Sequence, residues 1–94
     1  MASEKLSADE IERRLGGLEG WSVEGGKLHR DFRFGDFVAA FGFMARVALL
    51  AESMNHHPEW SNVYDRVSID LSTHDAGGIS GLDFELAAKV NRLL

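Results

Sequence analysis

Three of the four histidines in this chain lie in one stretch of sequence that also carries acidic side chains. The stretch begins at Glu52, continues through the pair His56-His57, reaches His74 and is followed by Asp83. Histidine can donate or accept a proton near neutral pH without a perturbed environment. Three imidazoles in one place would supply an acid, a base and a hydrogen-bonding contact. We therefore interpret this stretch as the candidate site of a proton-transfer reaction.

Capping residues predict the helices that must position these side chains. Ser7 and Ser80 each precede an acidic residue by three positions, which is the capping-box pattern. Asp36 is the predicted N-cap of a central helix. The predicted helices are a short one ending near Gly16-Gly17, a central one over 37–54 and a last one over about 81–93.

Two alternating stretches predict two antiparallel hairpins between those helices. Gly25-Gly26 suits a two-residue turn that needs positive φ, and Asp65-Arg66 is the predicted second turn. Trp60 and Tyr64 are interpreted as strand residues of the core. The predicted strands are 21–24, 27–34, 60–64 and 67–72, so the element order is α-β-β-α-β-β-α in a single domain over 1–94. His56 and His74 then follow a helix end and a strand end that can meet at one rim of the sheet.

The central helix is predicted to be apolar on nearly its whole circumference. Its charged residues are Arg46 and Glu52 alone, and it is short for a membrane span. A helix of this kind must be covered on two sides. The sheet can cover one side, and a second subunit is the simplest cover for the other.

Composition excludes several classes of function. The chain has 94 residues, no cysteine and a net charge of −5. Disulfides and thiolate metal sites are therefore impossible, and direct nucleic-acid binding is not expected because it needs clustered Lys and Arg. The N-terminal segment Met1–Lys5 is polar, so we expect no targeting segment, and we predict a cytoplasmic protein.

Each candidate residue also has a structural interpretation. The His56-His57 pair could bond the last carbonyls of the central helix, and Asp83 could act only as a helix cap. Glu52 lies one helical turn before His56, so its carboxylate could reach that ring and fix its tautomer. Three histidines could also bind zinc, but adjacent histidines seldom face one ion, and we expect no metal site.

The arrangement Glu52-x-x-x-His56-His57-Pro58, Tyr64, His74 and Asp83 resembles the signature of the pterin-4a-carbinolamine dehydratases. The neighbouring residues, among them Trp60, Gly77-Gly78 and the earlier Leu18-x-x-Trp21, resemble that family too. Leu82 departs from members that have a basic residue before the Asp, so no charged contact to substrate is expected there.

The resemblance implies an α+β fold in which a four-stranded antiparallel sheet carries helices on one face. It implies dehydration of 4a-hydroxytetrahydropterin to quinonoid dihydropterin in tetrahydropterin recycling, with no metal and no cofactor. It places catalysis at His56 and His74 supported by Glu52, and substrate contacts at His57, Pro58, Trp60 and Asp83. The roles of acid and base remain open between His56 and His74.

The partners implied by the resemblance are a pterin substrate, further copies in a homotetramer or dimer, and an aromatic amino-acid hydroxylase of the same pathway. An alternative function is that of a protein-binding module, because animal members also act as dimerisation cofactors of a transcription factor. A family member with a changed role is a third possibility, against which the complete set of three histidines argues.

Overall fold

A computed structural model describes residues 4–94, and the first three residues of the predicted polar N-terminus lie outside that range. The element order is α1 (Ala8–Leu15), β1 (Ser22–Glu24), β2 (Lys27–Arg33), α2 (Phe37–Met54), β3 (Glu59–Val63), β4 (Arg66–Leu71) and α3 (Gly81–Asn91). A 3₁₀ turn over His74–Ala76 lies between β4 and α3. The predicted α-β-β-α-β-β-α order and the α+β fold are confirmed.

The sheet is antiparallel throughout and has the strand order β1-β2-β4-β3. Every second residue of a strand faces the helices, so Leu28, Val67 and Ile69 are buried. The residues between them form a polar outer face of the sheet. From α2, Phe43 and Val47 complete the core, and two of the α3 residues, Leu86 and Val90, are likewise buried.

The caps that start the helices are the predicted ones. The Ser7 side chain accepts a hydrogen bond from the backbone N–H of Glu10, and the Asp36 side chain accepts one from Ala39. Ser80 and Asp83 form a complete capping box at the start of α3. Because each cap satisfies backbone donors that the helix itself leaves free, these short polar signals locate the helix starts in the sequence.

Helix α2 buries one side and exposes the other. Ala40, Phe43, Val47 and Ala51 face the core. The α2 stripe, which we define as Phe37, Val38, Phe41 and Leu49, remains 48%, 77%, 57% and 73% exposed, respectively. The Arg46 Nε lies 3.4 Å from the carbonyl oxygen of Gly42, one helical turn earlier. By length and composition alone α2 could cross a membrane, but its packing on the sheet accounts for part of that apolar character.

Two interpretations of the second hairpin were wrong. Tyr64 is 61% exposed and adopts a left-handed conformation with a φ of 51°. The turn residues are Tyr64 and Asp65, because Val63 pairs with Arg66. The Asn62 amide donates hydrogen bonds to the carbonyl oxygens of Tyr64 and Arg66 at 3.2 and 2.7 Å, which closes the turn one residue earlier than predicted.

Candidate active site

The end of α2 sends two adjacent histidines in different directions. Asn55 adopts the left-handed conformation with a φ of 50°, and its N–H bonds the carbonyl oxygens of Ala51 and Glu52. Asparagine tolerates this conformation better than most residues, which makes it a natural helix terminus. After the turn, the side chain of His56 is only 10% exposed, whereas that of His57 is 58% exposed.

His56 points inward, onto a fully buried carboxylate. Its Nε2 lies 2.6 Å from Oδ1 of Asp83, which has no exposed surface. The other carboxylate oxygen, Oδ2, accepts hydrogen bonds from the Ser80 N–H at 2.8 Å and the Thr73 hydroxyl at 2.9 Å. Asp83 is thus both the cap of α3 and the partner of His56, and the second of these roles was not predicted from the sequence.

Glu52 does not contact His56, contrary to the interpretation of the sequence. Its Oε1 lies 3.0 Å from Nε2 of His57 instead. The expected contact assumed that the helix continues to position 56, where residues four apart face each other. Because Asn55 ends the helix, His56 leaves the surface of α2 and His57 takes the place beside the carboxylate.

All three histidines line one cavity of about 300 Å³. His56 and His57 enter it from the end of α2, and His74 enters it from the 3₁₀ turn after β4. Asn55 and Leu82 contribute to the wall. The chain therefore brings together an almost buried imidazole and two exposed ones around a space open to small molecules, as the predicted convergence at one rim requires.

The remaining predicted site residues lie outside the wall of this cavity. Asp83 faces His56 from behind, so its carboxylate meets that ring rather than the cavity. Pro58 and Trp60 follow the histidine pair into β3 and are half-buried. Tyr64 lies in the turn that follows β3, about 16 Å from the first residue of that strand, Glu59, at the usual rise per strand residue. Pro58 and Trp60 as substrate contacts stay predictions.

Thr73 is the site residue that the sequence did not single out. It is 6% exposed, and its hydroxyl contacts both Asp83 and Ser80. Its position directly before His74 was the one available signal. Contacts between side chains seven and ten residues apart follow from the 3₁₀ turn and cannot be read from spacing.

A second titratable cluster lies on the outer face of the sheet, away from the cavity. The side chain of His29 is only 16% exposed, with Nδ1 2.9 Å from Asp70 and Nε2 3.1 Å from Asp31. Burial of the ring disfavours its charge, but the hydrogen bonds to these carboxylates outweigh burial and raise the pKa of His29. The hydrogen bond from the Ser68 hydroxyl is the main cause that lowers the pKa of Asp31, and the hydrogen bond from His29 lowers it further.

Neither region has the arrangement of a metal centre. Within residues 4–94, no group of three or more His, Cys, Asp or Glu side chains is placed to hold one ion. The largest of the described cavities, about 470 Å³, lies on the outer face between Arg33 and Arg66 and contains no histidine. The cavity with the three histidines is therefore the candidate active site.

Comparison with known proteins assigns the chain to a family. The model of the family described as pterin 4 alpha carbinolamine dehydratase matches residues 4–93. The chain belongs to this family. A relative from Solibacter usitatus, named provisionally as a pterin-4-alpha-carbinolamine dehydratase, is 60% identical over 95% of this chain and 94% of its own. A Synechococcus relative with the same provisional name is 56% identical over 94% of this chain and 95% of its own.

A solved structure of the same family has the same fold. It is a crystal structure from Brucella melitensis, described as a transcriptional coactivator/pterin dehydratase. The two chains are 44% identical and superpose with a TM-score of 0.92, over 96% of this chain and 98% of the other. The resemblance noted in the sequence is thereby confirmed at the level of family and fold.

Proposed function

We propose that this protein dehydrates 4a-hydroxytetrahydropterin to quinonoid dihydropterin and water. The observation that carries the proposal is the convergence of His56, His57 and His74 on one cavity of about 300 Å³. Membership of the pterin carbinolamine dehydratase family supports it independently. A reaction that needs only proton transfers suits a site built from imidazoles.

The reaction breaks one carbon–oxygen bond and one nitrogen–hydrogen bond. The hydroxyl on C4a departs with its bonding electrons and takes up a proton, which makes water. The proton on N5 is removed, and its electron pair forms the C4a–N5 double bond. We assign the two proton transfers to His56 and His74, since each positioned acid or base contributes about 10²–10⁴ in rate.

His57 and Glu52 are proposed to hold the substrate and to support catalysis from the rim. His57 is exposed at the cavity mouth, where an imidazole can hydrogen-bond the polar edge of a pterin. The Glu52 carboxylate accepts a hydrogen bond from Nε2 of His57 and so turns Nδ1 of that ring outward. Glu52 thus acts through His57 and not, as the sequence suggested, through His56.

A stopped-flow assay tests the proposal. Enzymatically generated 4a-hydroxytetrahydropterin is mixed with the purified protein, and loss of its absorbance is compared with the spontaneous rate. We expect acceleration by wild type and almost none by the variant carrying both His56→Ala and His74→Ala. Equal rates with and without wild-type protein would refute the proposed activity.

We place this activity in recycling of the tetrahydropterin used by an aromatic amino-acid hydroxylase, in the cytoplasm. Both statements extend the family's chemistry to this chain. A cell lacking the protein should accumulate the carbinolamine or its rearrangement products when the hydroxylase turns over. Normal pterin pools in such a cell would contradict this placement.

We also propose that the α2 stripe is covered by further copies of the chain, in a tetramer or a dimer. Its exposed phenylalanine and leucine side chains motivate this proposal, since contiguous apolar patches usually mark interfaces. The same stripe supports a second candidate function, that of a protein-binding module. The Brucella melitensis protein is described as a transcriptional coactivator, and a stable monomer of the present chain would favour that alternative.

A further inference from the structure

A network of buried hydrogen bonds ends on His56, and the positions of the hydrogens in this network can be deduced. The Thr73 hydroxyl donates its one proton to Oδ2 of Asp83 at 2.9 Å. The Ser80 hydroxyl, 2.5 Å from the Thr73 oxygen, must then be the donor in that contact. The Ser80 oxygen in turn accepts from the Leu82 N–H at 3.2 Å. All the donors of this network therefore point toward Asp83.

This arrangement determines which nitrogen of His56 carries hydrogen in the neutral ring. Two donors occupy Oδ2 of Asp83, and Oδ1 is left for the His56 Nε2 at 2.6 Å. Because an ionised carboxylate only accepts hydrogen bonds, Nε2 must be the protonated nitrogen. Nδ1 is then the nitrogen with a free lone pair.

The free nitrogen of His56 faces the cavity. Within residues 4–94, Nδ1 has no hydrogen-bond partner, and no buried side-chain nitrogen or oxygen lacks one. Nδ1 must therefore be accessible to solvent, and the cavity that His56 lines is the space it reaches. A small molecule in that cavity would meet a proton acceptor.

Helix capping alone does not explain the network. A capping box requires the Ser80 hydroxyl and the Asp83 carboxylate, but it makes no use of a second hydroxyl. Thr73 lies outside α3 and is 6% exposed, yet its hydroxyl is directed at the carboxylate. An apolar side chain of the same shape at position 73 would leave the cap of α3 intact and remove one hydrogen-bond donor from Asp83.

We infer that Thr73 and Ser80 are positioning residues, which orient Asp83 and through it keep His56 in the tautomer whose bare Nδ1 faces the cavity. His56 is then the base that accepts the N5 proton, and the resulting imidazolium is paired with Asp83 until it releases that proton to solvent. His74, which is exposed, donates the proton to the departing hydroxyl and regains one from solvent. The catalytic half of this inference rests on the proposed function, whereas the tautomer does not.

The test combines nitrogen NMR of the histidine rings with kinetics of three variants. Thr73→Val removes the hydroxyl at nearly constant shape, Thr73→Ser retains it, and Ser68→Ala removes a hydroxyl on the outer face of the sheet as a control. In wild type we expect His56 to show hydrogen on Nε2 and none on Nδ1. Thr73→Val should leave the hydrogen on Nε2, because the Asp83 carboxylate still only accepts hydrogen bonds. It should nevertheless loosen Asp83, shift the ring nitrogen signals of His56 and lower kcat about tenfold to a hundredfold with little change in KM, as expected for a misoriented group.

The two readouts separate failure of the network from failure of the proposed function. Thr73→Ser and Ser68→Ala should keep the wild-type tautomer and kcat. A wild-type His56 with hydrogen on Nδ1, or a Thr73→Val protein with unchanged ring nitrogen signals of His56, would overturn the positioning role. Changed His56 signals with unchanged kcat would overturn the assignment of His56 as base. If wild type fails to dehydrate the pterin, the NMR result still decides whether the network sets the ring.

Discussion

Serine substitutions at Phe41 and Leu49 should dissociate the assembly that we propose to form through the α2 stripe. These residues are 57% and 73% exposed, and neither belongs to the core of the monomer. Replacing them should therefore weaken association without unfolding the chain. The matched control is Leu94→Ser, which removes a leucine that is 58% exposed and lies beyond the end of α3, outside the α2 stripe.

The exposed fractions predict the size of this effect. Over the four residues of the α2 stripe they amount to about two and a half whole side chains. Burial of a whole side chain stabilises by about 1.5–3 kcal/mol, so covering the stripe is worth roughly 4–8 kcal/mol per protomer. Association costs an estimated 4–15 kcal/mol or more, so two facing stripes are of the size needed for a stable pair.

The double variant removes about half of the exposed area of the stripe. Two facing stripes would then lose roughly 4–8 kcal/mol, or about three orders of magnitude or more in the dissociation constant. Light scattering and sedimentation at micromolar concentration should show an oligomer for wild type and for Leu94→Ser, and a smaller species for the double variant. A wild-type protein that is a monodisperse 10.4 kDa monomer would refute the reasoning.

Four further outcomes are expected. His56→Ala and His74→Ala should each lower kcat about 10²–10⁴-fold. Full activity of the protein that carries both histidine substitutions would contradict the acid–base pair. His57→Ala should raise KM with kcat nearly unchanged, the pattern of lost uniform binding, and a fall in kcat alone would argue against this role. Activity should survive prolonged chelation, and elemental analysis should find no stoichiometric zinc whose removal abolishes turnover. His29→Gln should lower Tm more at about pH 6 than at about pH 9. The raised pKa of His29 stabilises the fold below the pKa of the unfolded state, about 6.5, and this stabilisation is lost as pH rises through the pKa of the folded state. Equal losses of Tm at the two pH values would count against it.

The sequence predicts the helices well because their starting signals are local. Ser7, Asp36 and Ser80 each accept a backbone hydrogen bond within three residues, so the short spacing contains the whole interaction. The second turn was misplaced because Tyr64 fits the alternation of a strand. The amide of Asn62 decides the actual turn, and such a contact competes with the hydrophobic pattern rather than following from it.

The site was predicted as a set of residues but not as a set of contacts. The convergence of His56 and His74 follows from the element order and from the rim that both elements share. The pairing of Glu52 with His57 depends on one left-handed residue, and the pairing of His56 with Asp83 spans 27 positions. Neither pairing follows a regular spacing in the sequence. The partner of each ring could therefore be identified only from the three-dimensional structure.

The left-handed turn at Asn55 also limits how the length of this segment can evolve. One position separates a histidine held against a buried carboxylate from a histidine at the cavity mouth. Inserting or deleting a single residue between Asn55 and Pro58 would shift which ring meets Asp83. The number of residues between the end of α2 and the start of β3 is therefore constrained, because a change in it would displace both rings from their places.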